Sequence, residues 1–478
     1  MLAVYEYLPQ NSLMFTALLS MLQVRLSLIT NTQGLHLNAC YIAFAELWYT
    51  CRTLMFSIGR GVMIMTNING KFSVYIGIDW ANKKHDICLQ GKSDNRREFC
   101  IIPHSPEAID KWINALHKKF KGQIAVAVEL ARGPIVYALQ KYSFVTIFPI
   151  NPSMLAQYRK AFCLSGAKDD PTDAEFALDL MLNYPNKIKP LKLQSNAMRK
   201  LTYLVEQRRR LVEDRRRFTN RLISTLKQYY PQLLDMFSHR DTPLFCDFIS
   251  RWPNIQKLQR ARTETIRNFF LSYGGSAVSS IEERIKTIVS AVPLTKDSAV
   301  IETHQLLAVA LTNQIMTTVQ AIKLFDKEIE AVFKDMPDAS LFISLPGTGA
   351  CLAPRLLVAF GENRDRFNSA ADVQMLAGVA PVTERSGQKS WIHWRWQCSK
   401  FLRQSFIEWS AKSVHSSYWA EIYYQKQREK GNSHQSAVRA LAFKWIRILY
   451  RCWKTRTPYD ESKYLKALRD RNSPLLTA

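Results

Sequence analysis

Hydrophobic and polar positions between residues 72 and 103 repeat with the period of short strands. The segment FSVYIGIDW (72–80) alternates apolar and small residues as a core strand does. HDICLQG (85–91) and REFCIIP (97–103) follow at short spacing. The pattern predicts a three-stranded antiparallel meander over residues 72–103.

Helical and buried-strand patterns alternate after the meander. Ser105 and Pro106 predict a helix start, because serine fits the N-cap and proline the first turn. QIAVAVEL (123–130) is a largely apolar run typical of a central parallel strand, and FVTIFPI (144–150) predicts another strand. Three meander strands followed by alternating strands and helices is the order of an α/β ribonuclease H-like fold. We predict this fold for residues 66–190.

A long amphipathic helix is predicted near residues 196–230, within a helical, coiled-coil region at 191–335. Its apolar positions recur at three, four or seven residues: Leu201, Leu204, Leu211, Phe218, Leu222 and Leu226. The arginine runs 208–210 and 215–217 lie between them. The arginines could form the solvated face of a coiled coil. Alternatively, the helix pairs with another helix and its arginines contact a phosphate backbone, and we favour a combination of the two roles. A second amphipathic helix is predicted near 299–333.

A third, mostly α-helical domain is predicted at residues 336–460, followed by a tail at 461–478. It contains the basic, tryptophan-rich stretch WIHWRWQCSKFLRQ (391–404). Arginine beside indole suits neutralisation of a backbone and stacking on unpaired bases. The alternative is that Trp391, Trp394 and Trp396 simply pack in the core.

Residues 1–62 differ in character from the rest of the chain. Their two apolar stretches are too short for a spanning helix, which normally needs about 18 uninterrupted apolar residues. We expect translation to start at Met63 or Met65, which makes 1–65 a leader. A membrane anchor is the alternative.

Charge and cysteine content narrow the class of protein. Lys and Arg total 65 against 40 Asp and Glu, a net charge of +25. An excess of this size attracts polyanions, although a basic surface can also serve solubility or acidic membranes. None of the nine cysteines forms a Cys-x-x-Cys pair, which argues against a zinc ribbon or thioredoxin motif. Free thiols suit a reducing compartment, so we expect a cytoplasmic, nucleoid-associated protein without membrane contact.

Four carboxylates carry the candidate chemistry. Asp79 ends the first strand, Glu129 ends QIAVAVEL, and Asp170 and Asp173 lie about one helical turn apart. Cleavage of a phosphodiester is commonly supported by two Mg²⁺ ions about 4 Å apart, each held by carboxylates. Each residue also has a structural explanation, since Asp170 suits an N-cap and Asp173 complements the helix dipole. Their joint placement favours a metal site.

The motifs resemble a known family. YIGIDWANKKHD, VAVELARGP and GAKDDPTDAEFA resemble the DEDD motif of the insertion-sequence 110 family of transposases, which includes the Piv and MooV invertases. LPGTGACLAPRLL and FNSAADVQMLAGVAPVTERSG look like that family's C-terminal domain. The resemblance covers roughly residues 70–185 and 340–455. It implies a Mg²⁺-dependent DNA transposase or recombinase with metal ligands Asp79, Glu129, Asp170 and Asp173.

The resemblance also implies a serine nucleophile, here Ser386 before Gly387, whereas the residues alone favour a simple turn between helices. It further implies a homo-oligomer (a dimer or tetramer) that combines the carboxylates of one subunit with the serine of another, and guidance by a structured RNA. The family commonly has Lys-Thr-Asp where this chain has Lys168-Asp169-Asp170, so Asp169 competes as a ligand.

Two other classes of function remain open at this point. A hydrolytic RuvC-like nuclease would use the carboxylates without a covalent intermediate, and would need neither Ser386 nor the C-terminal domain. A non-catalytic nucleic-acid-binding protein from a decayed element would not need the four carboxylates. Dependence of DNA cleavage on Mg²⁺ separates the binding protein from the two enzymes.

Overall fold

The computed structural model describes residues 71–163, 170–274, 278–473 and 475. The expected leader with its starts at Met63 and Met65, and the competing ligand Asp169, lie outside the described residues. The chain divides into two compact units, one ending at Lys192 and the other beginning at Leu193. No helix of the described part is both long and apolar enough to cross a membrane.

The first unit is built on a five-stranded mixed sheet. Its strands are β1 (Phe72–Trp80), β2 (Lys84–Gly91), β3 (Arg97–Pro103), β4 (Gln123–Val128) and β5 (Val145–Pro149). The spatial order is β3-β2-β1-β4-β5, with β1 to β3 antiparallel and with β4 and β5 parallel to β1. The predicted meander and the ribonuclease H-like fold are therefore confirmed.

Helices cover both faces of this sheet. They are α1 (Pro106–Phe120), α2 (Pro134–Gln140), α3 (Pro152–Phe162) and α4 (Asp170–Asn183). The Oγ of Ser105 accepts a hydrogen bond from the Ala108 N–H at 3.1 Å, which confirms the predicted N-cap of α1. Alternate β1 residues point to opposite faces, so Ile76 joins the core under α1 and α2, and Tyr75 joins the core under α4.

Gly77 lets helix α4 lie directly on strand β1. A Cβ at this position would come within 2.0 Å of the Ala174 carbonyl oxygen and 2.7 Å of the Leu178 nitrogen, both on the backbone of α4. Backbone cannot move aside as a side-chain tip can, so any larger residue pushes the helix off the sheet. The glycine therefore sets the distance between α4 and β1.

We expect Gly77→Ala to lower the free energy of unfolding by about 2 kcal/mol or more, since overpacking of this kind strains a packed core. Urea denaturation measures the change. Gly91→Ala is the matched control, because its added Cβ would meet only the Phe120 ring edge, at 3.3 Å. Equal stability of the two variants would contradict the assigned role of Gly77.

The first half of the second unit is a bundle around two long helices. Its elements are α5 (Asn196–Tyr229), α6 (Gln232–Met236), α7 (Pro243–Arg251), α8 (Ile255–Gln259), α9 (Thr263–Ser272), α10 (Val278–Ser290) and α11 (Ser298–Lys334). Helices α5 and α11 pack along each other over most of their length. Both predicted long helices are thus confirmed, and they pair within one chain.

The arginines of α5 have two different environments. Arg208 pairs with Asp326 of α11, with its Nη2 3.2 Å from Oδ2, so it ties the two helices together. Arg210 and Arg216 are exposed and have no acidic partner in the described part of the chain. The arginine runs therefore contribute both to helix pairing and to a free basic surface.

The remainder of the second unit is a helical domain with one exposed hairpin. Its elements are α12 (Ala339–Ile343), α13 (Gly349–Phe360), α14 (Ala370–Leu376), β6 (Val382–Ser386), β7 (Lys389–His393), α15 (Lys400–Ser413), α16 (Tyr418–Glu429), α17 (His434–Thr455) and α18 (Glu461–Asp470). Four tryptophans are fully buried in its core: Trp409, Trp419, Trp445 and Trp453. The hairpin β6–β7 leaves this core and faces solvent.

Candidate active site

Asp79 and Glu129 lie side by side at one edge of the sheet. Strands β1 and β4 are parallel, and their last paired residues are Ile78 and Val128. Asp79 and Glu129 are the next residues on each strand, on the face that α4 covers. Because neighbouring strands are about 4.8 Å apart, the two carboxylates share one short stretch of the sheet edge.

Helix α4 begins at the same end of the sheet. Arg97 donates to Asp179 near the end of α4, and the strand pairing places Arg97 level with Tyr75 near the start of β1. The helix therefore runs antiparallel to β1, and its first turn lies toward the carboxyl end of that strand. Asp170 and Asp173, both in this first turn, are thereby directed to the edge that carries the other two acids.

Asp173 is bound to a basic side chain. Its carboxylate is buried, and Oδ1 lies 2.5 Å from Nε of Arg159, which is on α3. A buried carboxylate without a counter-charge is costly, so the guanidinium stabilises this arrangement. A metal ion at Asp173 would either share the carboxylate with Arg159, through the second oxygen, or displace the guanidinium.

Asp86 is a fifth acidic residue at this edge, and the sequence analysis missed it. It is directly opposite Asp79 in the antiparallel β1–β2 pair, and it is buried with its Oδ2 3.2 Å from Nζ of Lys84. Cross-strand partners project to the same face, about 5 Å apart. The alternation of residues along β2 places Asp86 on one face of the sheet. Its position opposite Asp79 depends on the register of the two strands, which the turn between them sets.

The residue types at this edge fit a hard divalent cation. Mg²⁺ prefers oxygen ligands, and carboxylates on β1, β4 and α4 supply them. Within the described residues, however, no three His, Cys, Asp or Glu side chains lie close enough together to hold a metal ion. The fold therefore places suitable donors toward one edge of the sheet, and one of them, Asp173, is bound to Arg159.

A histidine pair, one member of which is buried, lies beside this edge. His85 is fully buried opposite Trp80, and its Nδ1 accepts a hydrogen bond from the Ala81 N–H at 3.3 Å. Its proton therefore sits on Nε2, which is 2.9 Å from Nδ1 of His104. Burial, followed by the charge of His104, lowers the pKa of His85 to about 4.

We expect the first unit to lose stability as the pH falls from about 6.5 to 4. The unfolded chain binds a proton at its ordinary histidine pKa, whereas folded His85 does not until about pH 4. The contribution is therefore complete above about pH 6.5 and is lost progressively as the pH falls to about 4, by on the order of 2 kcal/mol. Urea unfolding of wild type and His85→Gln across this range measures it. His117→Gln is the control. If the free energy of unfolding of His85→Gln changes with pH as it does in the wild type, His85 is excluded as the source of this pH dependence.

Ser386 lies at the tip of the β6–β7 hairpin. It is exposed and pairs with Lys389, while Gly387 begins the two-residue turn with φ of +57°. Glycine at the first turn position suits a type II′ hairpin, whose twist matches the strands. The expectation of a turn between helices is therefore wrong, because the turn joins two strands and carries the serine into solvent.

The tip of the hairpin is basic. Arg385 and Lys389 flank Ser386 and are exposed, and neither is paired with an acid within the described residues. Lys389 was also not predicted as a site residue, because it lies opposite Ser386 only through the register of the hairpin. Two free positive charges beside a hydroxyl suit contact with a phosphate.

The three tryptophans of the stretch 391–404 are not buried core residues. Trp391 is 46% exposed, Trp396 is 81% exposed, and Trp394 is only partly buried. The alternative of core packing is therefore wrong for Trp391 and Trp396. Exposed indoles beside basic residues remain available for stacking on bases.

A ribonuclease H-like sheet with acids at the carboxyl ends of β1 and β4 defines a class of enzymes that transfer phosphoryl groups in nucleic acids. The DEDD transposase family of IS110 elements matches residues 76–231, and the family described as "Transposase IS116/IS110/IS902 family" matches residues 339–425. The chain belongs to this IS110/IS116/IS902 family of transposases. It is an enzyme of DNA phosphoryl transfer, and transposases of the DEDD type typically use divalent metal ions.

Relatives cover most of the chain. A transposase assigned to the mini-circle element IS117 of Streptomyces coelicolor is 28% identical over 82% of this chain and 96% of its own length. The 43.6 kDa protein of insertion element IS110 from the same organism is 23% identical over 81% of this chain and 95% of its own. The 44.8 kDa protein of IS116 from Streptomyces clavuligerus is 23% identical over 79% and 94%. The similarity therefore spans both units.

Proposed function

We propose that this transposase cuts and rejoins DNA with a metal-binding cluster of Asp79, Glu129, Asp170 and Asp173 and with Ser386 as nucleophile. The observation that carries the proposal is the convergence of β1, β4 and the start of α4 at one sheet edge. When bound there, magnesium, as two ions, would neutralise the charge that develops on the attacking and leaving oxygens. Binding at Asp173 would use its second carboxylate oxygen or displace Arg159.

The serine step conserves the energy of the phosphodiester. A bond forms between Ser386 Oγ and phosphorus while the bond from phosphorus to the departing deoxyribose oxygen breaks. The serine hydroxyl loses its proton, and the departing oxygen gains one. The reverse reaction, with a different deoxyribose hydroxyl as the attacking group, joins the new strand without ATP.

The side chains around Ser386 support this step. Its exposure gives a duplex access to Oγ, and Arg385 and Lys389 offer positive charge to the attacked phosphate. The hairpin supports a defined position for the hydroxyl, because Ser386 is held in the ladder opposite Lys389. A hydrolytic nuclease would need none of these features.

We further propose that a structured RNA directs the enzyme to its DNA and that the active form is a homo-oligomer, a dimer or tetramer. The net charge of +25 supports RNA binding, as do Arg210 and Arg216 on α5, which are exposed and have no acidic partner among the described residues. Serine and carboxylates are carried by different units, which is compatible with an active site that combines two subunits.

A covalent-capture assay tests the proposal. The full chain is mixed with labelled DNA spanning the element junction, with or without the transcript of the element's flank, and in Mg²⁺ or a chelator. We expect a DNA–protein adduct on denaturing gels that requires Mg²⁺ and is strengthened by the transcript. Cleavage in Mg²⁺ without any adduct would make the enzyme a hydrolytic nuclease. Retention of DNA without cleavage would make it a binding protein.

A further inference from the structure

A cavity of about 540 Å³ opens at the base of the β6–β7 hairpin. Its walls are residues 378–381, the end of β7 and the segment that follows, Tyr423 of α16, and the first turns of α17 with Arg439 and Phe443. Cavities of roughly 300–1,000 Å³ are typical of sites for small ligands. All of its walls belong to the second unit.

The cavity is surrounded by positive charges that have no acidic partner. Arg439 lies over the Trp394 ring, with Cζ 3.8 Å from the ring centroid, and Arg403 lies over the same ring at 4.6 Å. Arg395 donates only to backbone carbonyls, from Nε to Ala380 at 3.1 Å and from Nη2 to Pro381. None of these three arginines contacts a carboxylate in the part of the chain that the structure describes.

Other half-buried arginines of this domain are neutralised, which makes the cluster unusual. Arg355 pairs with Glu408 at 2.5 Å, and Arg364 pairs with Asp338 at 2.6 Å. By contrast, burial and then the charge of Arg403 lower the pKa of Arg439. Like charges at this spacing repel, and a bound anion removes that repulsion.

The remaining wall of the cavity is aromatic. Trp394, Tyr423 and Phe443 line it, and Lys444 Nζ lies 4.2 Å from the Tyr423 ring centroid. Rings beside guanidinium groups suit a ligand that joins a flat aromatic group to an anion. An unpaired nucleotide has both parts.

The cavity and Ser386 are linked by the two strands of the hairpin. The Ser386–Lys389 pair closes the tip, and the Val382–His393 pair lies four residues away at the base, where His393 lines the cavity. At about 3.4 Å per residue the separation along the strand is roughly 14 Å. With 3.4 Å per stacked nucleotide, this corresponds to about four nucleotides.

We propose that this cavity binds one unpaired nucleotide of the DNA strand that Ser386 attacks, about four nucleotides from the joined phosphate. The base lies against the aromatic wall, and its phosphate contacts Arg439 and Arg395. The inference rests on the proposed serine mechanism for the choice of strand, but the cavity's affinity for a nucleotide does not depend on that mechanism.

The test is a fluorescence scan with 2-aminopurine, whose emission rises when the base leaves the stack. The analogue is placed at each of eight positions beside the cut, in DNA and separately in the flanking transcript, and mixed with the full chain in chelator. We expect enhancement at one or two adjacent DNA positions about four nucleotides from the cut. We expect Arg439→Gln to weaken the binding that gives this signal roughly tenfold.

Two further variants distinguish loss of nucleotide binding in the cavity from a general loss of positive charge and from a loss of folding. Arg451→Gln removes the same charge from an exposed site on the same helix and should leave the signal unchanged. Ala440→Leu fills the cavity without changing charge and should remove the signal, while circular dichroism reports whether each variant folds. Equal effects of Arg439→Gln and Arg451→Gln, or enhancement confined to the RNA probe, would overturn the proposal.

Covalent capture on the same samples in Mg²⁺ separates this inference from the proposed function. An adduct without any position-specific fluorescence would refute the cavity and leave serine attack intact. If the position-specific fluorescence is present and is lost in Arg439→Gln, but no adduct forms, serine attack is refuted. The proposed nucleotide site in the cavity is then still supported.

Discussion

Ser386→Ala is expected to abolish the DNA–protein adduct and to lower strand exchange on the order of 10³-fold or more. The alanine variant lacks the oxygen that forms the bond to phosphorus, and loss of a nucleophile is among the largest effects a single substitution has on an enzyme. Folding and DNA binding should remain, because Ser386 is exposed at the hairpin tip and contributes nothing to the core. Covalent capture and a strand-exchange assay at matched DNA occupancy measure both effects.

Ser390→Ala is the matched control for this prediction. Ser390 is an exposed serine of the same hairpin, opposite Arg385, so the substitution removes the same hydroxyl from the neighbouring strand. We expect its adduct yield to equal that of the wild type. An adduct that persists in Ser386→Ala, or that is lost equally in both variants, would rule out Ser386 as the nucleophile.

Asp79→Asn is expected to reduce both adduct formation and cleavage at least ~10²-fold, since a missing metal ligand removes several kcal/mol of charge stabilisation. Asp79 is the central acid of the edge, between Glu129 on one neighbouring strand and Asp86 on the other. Calorimetric titration with Mg²⁺ should show weaker binding.

Asp94→Asn provides the control for a general loss of negative charge. Asp94 is exposed between β2 and β3, where its Oδ1 accepts a hydrogen bond from the Arg96 N–H at 2.8 Å. We expect normal cleavage and normal metal binding from this variant. Full cleavage by Asp79→Asn, or cleavage by the wild type in chelator, would remove the carboxylate cluster from the mechanism.

Local sequence determined most of the elements of this protein. The strand at 72–80, the N-cap at Ser105 and the long helices near 196–230 and 299–333 were all predicted from periodicity and end signals, and the structure confirms them. These features depend on residues close together in the chain. Apolar positions recur every two residues in a strand and every 3.6 in a helix, so their spacing shows which face is buried.

The surroundings of each candidate site residue were decided by tertiary structure. Asp86 lies opposite Asp79, and Lys389 opposite Ser386, only because the strand registers bring them there. The ion pair between Arg159 and Asp173 joins two helices, so no local pattern announces it. Sequence pattern could therefore offer the four carboxylates as candidates, and the family resemblance offered Ser386, but neither revealed the side chains that lie beside them.

Exposure of the tryptophans was also decided by the fold. Trp391 in β7 and Trp396 shortly after it are exposed, whereas Trp409 and Trp445 are fully buried. The difference arises because the hairpin leaves the domain while α15 and α17 pack in its core, a matter of chain path and not of composition. The sequence by itself determined which elements form and which chemistry they carry, and three-dimensional packing decided which side chains meet.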